Sequence, residues 1–266
     1  MRLPFTKMEG AGNDYVFVDG IRGQMPMDRA PEVARRWSDR HFGIGADGLI
    51  VLLRGDRAPV RMLMWNADGS RGAMCGNGLR CLARLAFDHG HVGDRQFAVE
   101  TDAGLRHVEL LAGDDQVRAW MGEVRCSEAI ELDVLGQPRT FVPGNAGNPH
   151  AVLFVDDVET ADVAGIGAAL QAHARFPDGV NVEFVQVLAP DRLCQRTFER
   201  GSGETLACGT GAAVAAVAAR LAGHTQGDTT TVVLRGGVLQ ILTRGSSLAI
   251  EGPARTVFRG EIELPE

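Results

Sequence analysis

Short apolar runs set between glycine-, asparagine- and aspartate-rich turns recur along the chain and predict strands. In the first half they fall at residues 15–18, 49–53, 61–65, 97–101, 105–111 and 117–121. In the second half they fall at 152–155, 181–188 and 192–199, the last two forming a hairpin around Ala189-Pro190-Asp191. Helical spacing replaces alternation in four places. Residues 30–40 place Val33 and Trp37 on one face, residues 77–89 stop at Gly90, and residues 166–174 end before Pro177. The fourth, 211–221, is almost wholly Ala, Val and Leu. A helix apolar on every side is buried on every side, and roughly a dozen residues are too few to cross a bilayer. Strands curling around one central helix would bury it.

Two of these helices begin alike. Ala73-Met74-Cys75-Gly76-Asn77-Gly78-Leu79-Arg80 and Leu206-Ala207-Cys208-Gly209-Thr210-Gly211-Ala212 both read Cys-Gly-polar-Gly into a helix. A glycine-rich turn opening a helix offers free N–H groups and the positive end of the helix dipole. A cysteine there is expected to have a pKa lowered toward neutrality. Other landmarks recur in the same order. Gly12-Asn13 parallels Gly147-Asn148, Asp47-Gly48 parallels Asp178-Gly179, and Asn66 stands before Cys75 as Glu199 stands before Cys208. The chain therefore reads as two copies of one unit joined between 117 and 139, with paired thiols facing one site.

Composition narrows the function. A net charge of −7 argues against a nucleic-acid surface, and 45% hydrophobic residues suffice for a large core. Lys7 is the only lysine, so Schiff-base chemistry would have to rest on it. The five cysteines form neither a disulfide framework nor a CxxC metal pair, and the histidines show no metal-ligand spacing. Without a signal-peptide pattern or a bilayer-length apolar run, a cytoplasmic chain with no membrane partner is expected. Cys81, Cys126 and Cys194 read as inert buried thiols. Neither glycine turn carries the lysine of a P-loop or a GxGxxG, so phosphate binding is disfavoured. Asn13, Asn66, Asn148 and Asn181 suit turns individually, but together with two cysteines they read as amides lining a polar ligand. Glu199-Arg200 offers a carboxylate and a guanidinium to a zwitterion, and His150 could assist proton transfer.

The stretch 66–70 followed by 75–80, and the stretch 199–211, resemble the two signatures of the diaminopimelate epimerases. Gly10-Ala11-Gly12-Asn13-Asp14 and Gly147-Asn148-Pro149-His150 fit as well, so the resemblance spans nearly the whole chain. It implies an α/β fold of two pseudo-symmetric domains, each a mainly antiparallel sheet around a central helix, with the active site in the cleft. The implied domains are 1–119 carrying Cys75, with a tail of 254–266 packing back on it, and 120–253 carrying Cys208. The implied reaction interconverts LL- and meso-diaminopimelate for lysine and cell wall, with no cofactor and no metal. Cys75 and Cys208 fall at the acid/base positions, with His150 and Glu199 supporting them. Asn13, Asn66, Asn148, Asn181, Glu199, Arg200 and the amides of Gly76, Asn77, Gly209 and Thr210 fall at substrate-binding positions. Two departures stand out: some members carry Gln at Gly48, and Phe258 occupies the place of a Tyr that some members use in a homodimer interface. A proline-racemase-like enzyme is the near alternative, although that family has Gly-His-Gly where Asn77 stands. A thiol redox protein joining Cys75 to Cys208 is the distant one.

Overall fold

The structure, a computed structural model, describes residues 2–23, 25–113, 115–244 and 247–264. The chain divides into two compact units, Met1–Trp120 with Gly252–Glu266, and Met121–Glu251.

In the first unit β1 (Arg2–Gly10) and β2 (Asn13–Asp19) form a hairpin. Its two turn residues, Ala11 and Gly12, both have positive φ, 55° and 82°. That is the requirement of a tight turn whose twist matches the strands, and it delivers Asn13 to the first position of β2. The crossover helix α1 (Ala30–Ser38) leads to β3 (Gly48–Arg54), parallel to β2, and β4 (Val60–Asn66) returns antiparallel. A short β5 (Arg71–Gly72) then leads into α2 (Gly76–Asp88). Beyond it β6 (Gln96–Thr101) runs parallel to β4, followed by antiparallel β7 (Gly104–Leu110) and β8 (Gln116–Gly122).

The second unit repeats these steps. Short β9 (Arg125–Cys126) and β10 (Ile130–Val134) both pair with β11 (Gln137–Asn145), which is antiparallel to β12 (Pro149–Phe154). Helix α3 (Val163–Gln171) crosses to parallel β13 (Asn181–Ala189), and β14 (Arg192–Glu199) returns, continuing into β15 (Gly203–Thr205). Helix α4 (Gly209–Leu221) then precedes β16 (Thr229–Leu234), parallel to β14, with β17 (Gly237–Arg244) and β18 (Ser247–Pro253) following antiparallel. Finally β19 (Arg255–Glu263) pairs with β1, as β10 pairs with β11. Two pseudo-symmetric units, each mostly sheet around a helix, are the observed fold.

Strand alternation sorts the core of each unit into two layers. Leu49 and Val51 of β3 pack with Val33 and Trp37 of α1, while Ile50 between them turns toward Gly78 of α2. In the second unit Val182 and Phe184 of β13 pack with Val163, Ile166 and Leu170 of α3. The residue between them, Glu183, turns toward Gly211 of α4. The all-apolar helix expected at 211–221 is α4, buried along most of its length. The helix expected at 166–174 is displaced to Val163–Gln171, because Asp162 caps it by accepting the Gly165 N–H at 2.9 Å.

Candidate active site

Both cysteines occupy the N-cap of the helix they precede, in extended conformation: Cys75 at φ −130°, ψ 127° and Cys208 at φ −122°, ψ 108°. The glycines and polar residues after them, Gly76 and Asn77, and Gly209 and Thr210, form the first turn, whose N–H groups have no partner within the helix.

Around Cys75 the neighbours are chiefly amides. Its thiol donates to Asn13 Oδ1 at 3.3 Å, and the same oxygen receives Asn77 Nδ2 at 3.3 Å. Asn13 is held in turn through its Nδ2, which donates to Asp47 Oδ2 at 2.6 Å, while that carboxylate also takes the Asp14 N–H. Lys7 is buried and paired with Asp14 at 2.6 Å, so the single lysine braces this loop. Two further residues were not found from the sequence. Tyr15, the only tyrosine, is 5% exposed; burial first, then the neighbouring Cys75, pushes its phenol well above the usual range. Arg80 is wholly buried in α2, donates to Asn77 Oδ1 at 2.8 Å, and has its pKa lowered by burial. Asn66 ends β4 and bonds Ser70 in its own turn, at 2.9 Å.

Around Cys208 the neighbours are ionisable. Its sulfur accepts the Gly211 N–H at 3.4 Å and lies 3.5 Å from the Thr210 hydroxyl. Burial chiefly, then the charges of Glu199 and Glu183, raise its pKa well above that of a free thiol. The expected lowering toward neutrality is therefore overturned for Cys208: desolvation and two carboxylates outweigh the helix terminus. His150 is buried and shares one nitrogen with each of two oxygens, Nδ1 with Glu183 Oε1 at 2.8 Å and Nε2 with Asn148 Oδ1 at 2.9 Å. Glu199 ends β14, as Asn66 ends β4, and accepts the Thr205 hydroxyl at 2.6 Å. Asn181 is buried, and its Oδ1 accepts the backbone N–H of Arg200 at 2.9 Å; the exposed Arg200 side chain donates to the Asp178 carbonyl at 3.0 Å.

Glu183 is the residue that sequence reasoning missed in this unit. The available signal was a carboxylate inside the apolar run Val182-Glu183-Phe184-Val185. The repeat is also finer than the landmarks suggested. Parallel pairing sets His150 opposite Asn181 in one unit and Val16 opposite Leu49 in the other. Continuing each ladder makes Gly48 the counterpart of Asn181, not of Gly179, and Tyr15 the counterpart of His150. At Gly48 a Cβ would lie 2.2 Å from the Trp65 carbonyl oxygen, so this backbone has no room for a side chain there.

Two groups of described residues bring three potential metal-ligand atoms within 4.8 Å of one another: those of His150, Glu183 and Cys208, and those of Asp19, His89 and His91. The second brings together two histidines in which the sequence shows no metal-ligand spacing. Asp19 Oδ2 receives His89 Nδ1 and His91 Nε2, each at 2.7 Å, at the opposite end of α2 from Cys75. Cys81 is buried with its pKa pushed up to about 12, and burial also raises Cys126, to about 11, and Cys194. Among the described residues no helix is long and apolar enough to cross a membrane.

This frame is shared with solved structures of low sequence identity. A phenazine biosynthesis protein of the PhzF family from Bacillus anthracis superposes with a TM-score of 0.79 at 13% identity, covering 99% of this chain and 100% of that one. A hydroxyproline epimerase from Agrobacterium vitis superposes with a TM-score of 0.73 at 16% identity, covering 98% and 92%. The class that this likeness defines is a two-unit α/β fold. Within it, the family model described as diaminopimelate epimerase matches residues 5–127 and 144–257. A diaminopimelate epimerase of Geobacillus kaustophilus is 43% identical over 275 residues, covering 96% of this chain and 95% of that protein. One from Leptospira biflexa is 40% identical over 283 residues, covering 99% and 100%. The chain belongs to the diaminopimelate epimerase family and is an isomerase.

Proposed function

We propose that the chain interconverts LL- and meso-2,6-diaminopimelate by moving the α-proton between two cysteine side chains, without a cofactor. The reading rests on one observation above all: each unit places a cysteine at the N-cap of its central helix, within the same repeated frame. Inversion at an α-carbon needs a base on one face and an acid on the other. A thiolate and a thiol that exchange roles serve both directions. Cys75 and Cys208 take these parts. Removing a weakly acidic α-proton also requires stabilisation of the charge that spreads to the carboxylate. The unbonded N–H groups of Gly76-Asn77 and Gly209-Thr210 provide it.

His150 and Glu199 support Cys208, and Asn13 and Asn77 orient Cys75. Asn66, Asn148, Asn181 and Arg200 recognise the polar ends of the substrate. In this role the product supplies lysine and cell-wall synthesis in a reducing cytoplasm, in keeping with five free thiols. A homodimer through β19 is the assembly proposed, since Val257 and Phe258 expose 56% and 45% of their surface there. Sedimentation of wild type and Phe258→Glu tests it: a dimer that the substitution leaves intact removes this face from the interface.

The function itself is tested with a panel of LL-diaminopimelate, L-proline, trans-4-hydroxy-L-proline and L-lysine under reducing conditions. Inversion of diaminopimelate alone is expected. Inversion of a proline in preference to it would move the chain to the proline-racemase reading.

A further inference from the structure

The two units supply an internal control for every position in the frame. Where α2 passes over β3, a Cβ added at Gly78 would sit 2.5 Å from Ile50 Cδ1. Where α4 passes over β13, a Cβ added at Gly211 would sit 2.4 Å from Glu183 Oε1. Gly78 and Gly211 hold the same place, two residues after the glycine that follows each cysteine, and Ile50 and Glu183 hold the same place in the strand beneath. One unit fills it with a hydrocarbon and the other with a carboxylate, wholly buried. Packing alone accounts for the isoleucine. It does not account for the glutamate, since a buried carboxylate is retained only where partners or function compensate its desolvation.

Partners compensate it only in part. Glu183 Oε1 takes His150 Nδ1, while Oε2 is buried without a hydrogen-bond partner among the described residues. Glu183, His150 and Cys208 bring an oxygen, a nitrogen and the sulfur within 4.8 Å of one another. Cys208 is faced by Glu183 from β13, by His150 from β12 and by Glu199 from β14. Cys126 of β9 also feels the Glu183 charge, with its own thiol directed at the Val214 carbonyl.

Resting on the two-thiol reading above, we propose that Glu183 is a positioning residue for Cys208: its charge keeps the resting sulfur in the thiol form, and its Oε1 fixes the ring of His150. A negative charge this close to a buried sulfur disfavours a second negative charge on it. The resting enzyme therefore holds a proton on Cys208 ready for donation to the α-carbon, and that proton is regained when Cys208 acts as base in the reverse direction. The repeated frame thus places a carboxylate beneath the helix that Cys208 opens, where the other unit has Ile50.

The test compares Glu183→Gln, which keeps an acceptor for His150 Nδ1 but removes the charge, with Glu183→Asp, which keeps the charge. Glu183→Ile, copying the first unit, serves if the glutamine variant does not fold. The pH dependence of iodoacetamide capture at Cys208, followed by peptide mass spectrometry without substrate, reports the thiolate directly. Its midpoint is expected to fall by about one pH unit or more in Gln or Ile and to stay near wild type in Asp. The upper limb of the kcat/KM profile for diaminopimelate should fall with it. A capture profile in either folded, uncharged variant that coincides with wild type overturns the proposal. Because capture needs no turnover, an enzyme inert toward diaminopimelate would refute the function while leaving this measurement decisive.

Discussion

Cys208 and Cys75 share a backbone position but not a chemical environment. Cys208 is 6% exposed, raised well above a free thiol by burial and by two carboxylates, whereas Cys75 is half-buried among amides. Iodoacetamide near neutral pH is therefore expected to modify Cys75 well before Cys208, as peptide mapping would show; equal rates would count against the charge environment described. Cys81 is buried on the helix beyond Cys75 with its pKa pushed up to about 12, so Cys81→Ala should leave kcat/KM within about twofold of wild type. Arg200 offers a sharper choice. Its guanidinium is exposed and donates to a main-chain carbonyl, so it could recognise the distal carboxylate of the substrate or only brace the turn. In the recognition role Arg200→Lys raises KM for diaminopimelate and Arg200→Ala raises it further, with little change in melting temperature. A lower melting temperature with unchanged kcat/KM would make it a brace.

The helices and strands show what a sequence discloses and what it does not. The glycine turns named both central helices, because Cys-Gly-polar-Gly states a helix start. The start of α3 was misplaced by three residues, since the reading followed apolar spacing and passed over Asp162 as a cap. Much of β16 to β19 went unread: β19 is mostly exposed, so its side chains do not follow the alternation of a half-buried strand. Asn13, Asn77, Asn148 and His150 were legible because turn motifs carry them. Glu183, Tyr15 and Arg80 were not, because each lies inside an apolar element and acquires meaning only from what crosses it. Gly211 makes that crossing testable. Gly211→Ala would drive a Cβ to 2.4 Å from Glu183 Oε1, and about 1–3 kcal/mol of lost stability, together with lost activity, is expected from urea unfolding and assay. A fully active, fully stable variant would mean that the helix does not press on the carboxylate.

Across the molecule, several buried thiols link stability to alkaline pH. Burial raises Cys81 from 9.0 to about 12 and Cys126 from 9.0 to about 11, and raises Cys208 as well. In the unfolded chain these groups ionise near 9, so their contribution is fully present below that pH and is lost as pH rises toward the folded values. Each adds about 1.4 kcal/mol per pH unit to the fall in that window. Melting temperature should therefore drop steeply above pH 9, and less steeply in Cys81→Ala; equal slopes would show that other groups control the alkaline limb. The duplicated architecture was readable from the order of its landmarks, whereas the different use of the two units was not, because it lies in which side chain fills an equivalent place. That each unit contributes one acid/base thiol is tested most directly by incubating LL-diaminopimelate in deuterated water with dithiothreitol and following the α-position by mass spectrometry. Wild type should yield meso-diaminopimelate carrying one solvent deuteron at the inverted carbon. Cys75→Ala and Cys208→Ala, both folded, should each lose inversion by a factor of about 10² or more. Inversion at wild-type rate by either variant, or none by the wild type, would contradict the two-thiol mechanism.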